Sequence, residues 1–202
     1  MKTIALTAFV ALVGLAAPAH ADFTGLYAPA NWTTTTTGTL LGPGSGGSAS
    51  FTSAQLTLVG GNAVPPAGSE LGCSGATYGF AGPCQIQTTI FAPGTYSFHW
   101  TYVTTDDTGP GGDLFGVLVN GSRTTLSNPG GANAQSGDAT FTAASSFGWF
   151  LNCTDCIGGG ATATITAFGT VAAIPEPSTY ALMLASLAAV GAAARRRGAR
   201  RG

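Results

Sequence analysis

The chain has 202 residues, of which only 7% are charged: 7 Lys or Arg face 8 Asp or Glu, a formal net charge of −1. Lys2 opens the chain, Arg195, Arg196, Arg197, Arg200 and Arg201 close it, and Arg123 alone lies between, so residues 22–174 carry seven acids against one base, a net of −6. One cation cannot neutralise a run of phosphates, which excludes nucleic acid as a partner. By the same reasoning acidic polysaccharides would be repelled unless a metal bridged them.

At the N-terminus Lys2 precedes an apolar run over residues 4–17, and Ala19-His20-Ala21 offers small residues where a signal peptidase reads. Residues 1–21 are therefore expected to be a cleaved signal peptide, since a true membrane helix needs a longer run. The mature chain would begin at Asp22, with a passenger domain over 22–172.

That passenger is rich in Thr, Gly, Ser and Ala and poor in Lys, Glu and Leu. Such a composition disfavours helices and favours strands joined by Gly-rich turns. In chain order, strands are predicted over 32–40, 51–59, 85–91, 95–103, 114–119, 122–126, 139–143, 147–152 and 161–171. The clearest is 95–103, where Tyr96, Phe98, Trp100 and Tyr102 share one face and Thr95, Ser97, His99 and Thr101 the other. Asn120-Gly121 between two strand-like runs signals a two-residue hairpin. In 161–171, Thr162, Thr164, Thr166 and Thr170 oppose Ala163, Ile165, Ala167 and Val171. These elements add up to an all-β antiparallel sandwich of jelly-roll type, because no fixed-period repeat supports a β-helix.

Four cysteines in an exported domain point to two disulfides, and three pairings are open. Spacing favours Cys73 with Cys84 and Cys153 with Cys156. The competing redox reading of Cys153-Thr154-Asp155-Cys156 needs a helix after the first thiol, and here the flanks are strand-like. A zinc site from the four thiolates is disfavoured by an oxidising compartment. The loop holding Asp106, Asp107 and Asp113 places three carboxylates on a Gly-rich turn and is the candidate calcium site. It lacks the acid spacing of an EF-hand, and a solvated turn is its plainer reading.

His99 is the one histidine of the passenger, and no nucleophile or orienting acid can be assigned to it from sequence. No nucleophile-elbow, zinc-histidine or phosphate-loop motif occurs. Glu70 is the single passenger glutamate, a poor basis for paired-carboxylate chemistry. Thr33–Thr37 and the threonine face of 161–171 raise ice binding, but that needs a long flat array and sandwich sheets twist.

The end of the chain is an address. Pro175-Glu176-Pro177 and Ser178-Thr179 lead into a charge-free span over 180–194, and the basic end over 195–202 follows. An apolar span backed by arginines stops in a membrane with the arginines on the cytoplasmic side, and this one is short for a permanent anchor. The three-part tail, over residues 173–202, resembles the PEP-CTERM sorting signal of Gram-negative bacteria. The resemblance implies recognition by exosortase near the triplet and a C-terminal helix held transiently in the inner membrane. It also implies delivery to the envelope, outer surface or matrix, with association with exopolysaccharide and biofilm. The expected protein is thus an exported, non-catalytic structural or adhesive sandwich, contacting glycan through aromatic side chains and calcium. The alternatives are an enzyme acting on polysaccharide and, behind it, an ice-binding protein.

Overall fold

The computed structural model describes residues 23–38, 40–41, 44–63, 79–80, 84–106, 109–153, 159–171 and 183–191. The expected signal peptide over 1–21, Cys73, Asp107, Cys156 and Pro175-Glu176-Pro177 lie outside the described residues. The chain divides into two compact units, Met1–Val171 and Ala172–Gly202.

In the first unit the strands are β1 Thr33–Thr37, β2 Leu40–Leu41, β3 Gly44–Ser45, β4 Ser48–Phe51, β5 Gln55–Val59, β6 Asn62–Ala63 and β7 Gly79–Phe80. They continue with β8 Cys84–Phe91, β9 Gly94–Thr104, β10 Asp113–Val119, β11 Ser122–Thr125, β12 Ala134–Ala143, β13 Ser146–Cys153 and β14 Ala161–Thr170. Ten of these build two five-stranded antiparallel sheets: sheet I in the order β1-β8-β13-β10-β11, and sheet II in the order β12-β9-β14-β5-β4. β2 pairs with β7 and β3 with β6 as two-residue ribbons, which no periodic pattern announced. Successive strands change sheet from β8 to β9 to β10 and again from β12 to β13 to β14.

The two inner faces share one core. Tyr96, Phe98, Trp100 and Tyr102 all point inward from β9, as their alternation predicts, and none is more than 7% exposed. Phe147, Trp149 and Leu151 meet them from β13. Trp149 lies 5.4 Å from Phe98, edge to face at 82°, and Trp32 stacks on it from the other side at 5.4 Å. Such ring pairs add about 0.5–1.5 kcal/mol each beyond the area they bury.

Two departures from the predicted strands have local causes. The segment expected as one strand over 51–59 turns at 52–54, where Thr52 Oγ1 accepts hydrogen bonds from the amides of Ala54 (3.3 Å) and Gln55 (3.1 Å). A hydroxyl competing for backbone donors ends β4 and starts β5. In β14 the register slips between Thr166 and Gly169, and Ala167 takes a φ of 48°. The bulge leaves Ala167 exposed and sends Phe168 inward, where it stacks on Phe23 at 5.3 Å and on Tyr96 at 5.6 Å. The expected hairpin forms as its residues require, with φ of 51° at Asn120 and 82° at Gly121.

In the second unit the described residues form a helix over 183–191, with Met183, Leu184, Leu187 and Val190 exposed. No helix among the described residues is long and apolar enough to cross a membrane.

Candidate functional site

Register assembles two unlike outer faces from strands far apart in sequence. On sheet I the central row runs Thr33, Thr89, Gly148, Leu118, Arg123, one residue from each strand. Gly148 carries no side chain because none fits: the β8 backbone lies so close that a Cβ there would overlap the carbonyl oxygen of Thr88. On this face lies a cleft of about 210 Å³ lined by Gln87, Thr89, Leu118, Gly121, Arg123, Ser146 and Phe147.

The adjacent row explains how Arg123 is held. Gln87, Phe150, Gly116 and Thr125 stand side by side across four strands. The Phe150 ring lies over Gly116, where a Cβ would come within 2.7 Å of the ring. Arg123 then places its guanidinium 5.3 Å from the centre of that ring, an attraction between a cation and the negative face of the aromatic. On the opposite side, Phe91 pairs with Ser146 at the end of β8 and is 74% exposed. Its ring is open to solvent. The aromatic side chains expected to meet glycan are otherwise committed to the core, because the alternation that makes β9 a strand points them inward.

The outer face of sheet II is a ladder of hydroxyls. Ser136, Thr101, Thr164, Thr57 and Ser50 form one row across all five strands. In the next row Asp138, His99, Thr166 and Gln55 stand together, and His99 Nδ1 is 2.9 Å from Asp138 Oδ1. Sequence reasoning left His99 without an acid; β9–β12 pairing supplies one. Both groups are open to water, at 40% and 85% side-chain exposure, where such pairs add little to stability. The threonines of β1 do not form one array. Thr34 and Thr36 pair with Thr88 and Ile86, while Thr33, Thr35 and Thr37 lie on the sheet I exterior beside Thr89, Gln87 and Gln85.

Of the expected calcium ligands, Asp106 and Asp113 are both buried, 2% and 0% exposed. Thr104 links them: its hydroxyl accepts from the Asp106 amide (3.0 Å) and donates to Asp113 Oδ2 (2.8 Å). Tyr102 donates to the Asp113 carbonyl at 2.7 Å. Burial holds the Tyr102 phenol well above its usual range, and the Asp113 charge pushes the same way. Asp107 lies outside the described residues. Among them, no group of three or more His, Cys, Asp or Glu side chains is gathered as a metal cluster. Cys84 and Cys153, both buried, are register partners on β8 and β13, while their expected mates Cys73 and Cys156 lie outside.

Against solved structures, this chain is similar to the enzymatically active domain of bacteriophage CBA120 tailspike protein 4, at 16% identity and a TM-score of 0.34, covering 75% of this chain and 22% of that one. It is also similar to the N-terminal cellulose-binding domain of Cellulomonas fimi β-1,4-glucanase C, at 14% identity and a TM-score of 0.33, covering 72% of this chain and 92% of that one. A carbohydrate-binding module of Cellvibrio mixtus lichenase 5A, in complex with cellotriose, matches at 10% identity and a TM-score of 0.25, over 64% and 90% of the two chains. These likenesses are too distant to assign anything to particular residues. A comparison with curated protein sequences gave no match. A family model does match the tail, over residues 173–197, and what it describes is the PEP-CTERM protein-sorting motif. The chain therefore ends in a PEP-CTERM sorting motif, which implies export and sorting to the envelope or cell surface.

Proposed function

We propose that the passenger is a non-catalytic structural or adhesive β-sandwich, jelly-roll-like in its alternation between sheets, which associates with exopolysaccharide once exported. The observation that supports this reading is the outer face of sheet I. An exposed aromatic, Phe91, is the register partner of Ser146, which lines a cleft together with Leu118, Gln87 and Thr89. A sugar ring has apolar C–H faces and a polar rim. It needs one surface to stack on and several groups to exchange hydrogen bonds with, a combination of the kind ligand sites present. Exosortase and signal peptidase act on the chain in transit, with brief residence in the inner membrane of a Gram-negative cell.

The test is binding of the purified full chain to a panel of insoluble and soluble polysaccharides. Phe91→Ser should weaken binding about three- to tenfold, while Thr164→Ala in the hydroxyl row of sheet II should not. Binding lost with Thr164→Ala but kept with Phe91→Ser would move the site to the other sheet. The rival reading, an enzyme acting on polysaccharide, is favoured by the His99–Asp138 pair. Shortening of the polymer that stops on His99→Ala would establish it.

Calcium belongs to this reading at the corner of Asp106 and Asp113, where an all-oxygen donor set suits a hard cation. Buried carboxylates are costly unless compensated. Calcium should raise the Tm and a chelator lower it; an unchanged Tm in both removes calcium from the account.

A further inference from the structure

The distribution of charge over the two sheets points to a ligand class that net charge alone argues against. Arg123 is the single Lys or Arg among the described residues, and it borders the cleft of sheet I. The described carboxylates all lie elsewhere: Asp106 and Asp113 are buried beside Thr104, and Asp138 stands on the outside of sheet II beside His99. Among the described residues no carboxylate comes within 4.0 Å of the Arg123 guanidinium. The cleft is therefore locally cationic on a chain whose passenger is acidic overall.

We infer that this cleft is a subsite for an anionic sugar, a hexuronate residue within an exopolysaccharide chain, with Arg123 binding its carboxylate. The inference rests on the glycan reading of this face and names its ligand. A guanidinium is a planar fork that matches a carboxylate two-to-two. The Phe150 ring, 5.3 Å from the guanidinium carbon, attracts the cation and helps hold it at the cleft. Leu118, opposite Arg123 in the β-hairpin, offers an apolar wall to the C–H face of the ring. Thr89 and Gln87, which line the same cleft, supply a hydroxyl and an amide to the sugar rim. The single charge makes each contact weak, so retention depends on many uronates along one polymer meeting many protein copies.

The experiment compares polygalacturonate with its methyl ester, the same backbone with its carboxylates neutralised, as ligands for the purified full chain. Wild type is expected to bind the acid form about tenfold more tightly than the ester, with the preference falling as salt rises. Arg123→Gln should erase that preference at unchanged Tm, and Arg123→Lys should restore part of it. Equal binding of acid and ester by wild type, or a preference that survives Arg123→Gln, overturns the inference while leaving a neutral-glycan site on this face standing. Absence of binding to either polymer, with Phe91→Ser also silent on every glycan of the panel, overturns both.

Discussion

The two outer faces are made from the same kind of strand and differ in what interrupts them. On sheet II Ser136, Thr101, Thr164, Thr57 and Ser50 form one row of hydroxyls across all five strands. Sheet I carries Gly148 and Gly116 in neighbouring rows: at Gly148 the Thr88 backbone takes the place a Cβ would fill, and at Gly116 the Thr124 carbonyl and the Phe150 ring do. The close approach at Gly116 lets the Phe150 ring lie beneath Arg123, the only described cation.

The largest perturbation would abolish the contrast altogether. Trp149 is fully buried and touches rings from both sheets, so Trp149→Ala should cost about 3–5 kcal/mol in chemical denaturation and weaken both faces together. A small loss would mean that the sheets do not share one core.

Next in size is the acidic corner. Asp113→Ala removes the acceptor of the Thr104 hydroxyl in a buried site and should cost about 1–3 kcal/mol. It should also abolish any calcium-dependent rise in Tm.

Alkaline titration separates core from surface. Burial holds the Tyr96 phenol, like that of Tyr102, above its ordinary value near 10. For Tyr96 the neighbouring Tyr27 hydroxyl, 3.3 Å away, adds to the rise. A group whose folded pKa exceeds its unfolded value gives stability that is complete below the unfolded pKa and is lost as pH climbs towards the folded one. The Tm should therefore be insensitive to these phenols below pH ~9 and fall above pH ~10. Tyr102→Phe should flatten that fall.

Smaller still is Ala167→Gly. Positive φ costs a residue with a Cβ about 1–2 kcal/mol, part of which glycine returns through a more flexible unfolded chain. A gain of about 0.5–1 kcal/mol is expected, and a loss would show that the Ala167 methyl packs against something. At the bottom, His99→Ala should leave both the Tm and glycan binding unchanged, which sharpens the contrast by silencing sheet II.

How much of this was legible in the sequence follows the range of each interaction. The inward stripe of β9 could be read because alternation is local. The neighbourhood of Leu118 and Arg123 could have been read too, since a two-residue Asn-Gly turn fixes that register. Thr89 and Gly148, by contrast, meet only because β8 pairs with β13, nearly sixty residues away in the chain, and nothing local encodes that choice. The same holds for His99 with Asp138. The bulge in β14 escaped because Ala167, not glycine, takes the positive φ, and strict parity therefore grouped the exposed Ala167 with the buried Ala163 and Ile165. The tail was read most fully, because a sorting motif is recognised as a linear string and depends on no tertiary pairing.

Hydrogen–deuterium exchange of the full chain, with and without oligogalacturonate, tests the central claim most directly. Ligand should slow exchange in β8, β10, β11 and β13 around Thr89, Leu118 and Arg123, and leave β5, β9 and β14 unaltered. Protection confined to sheet II, or none on either sheet while the polymer is bound, would contradict it.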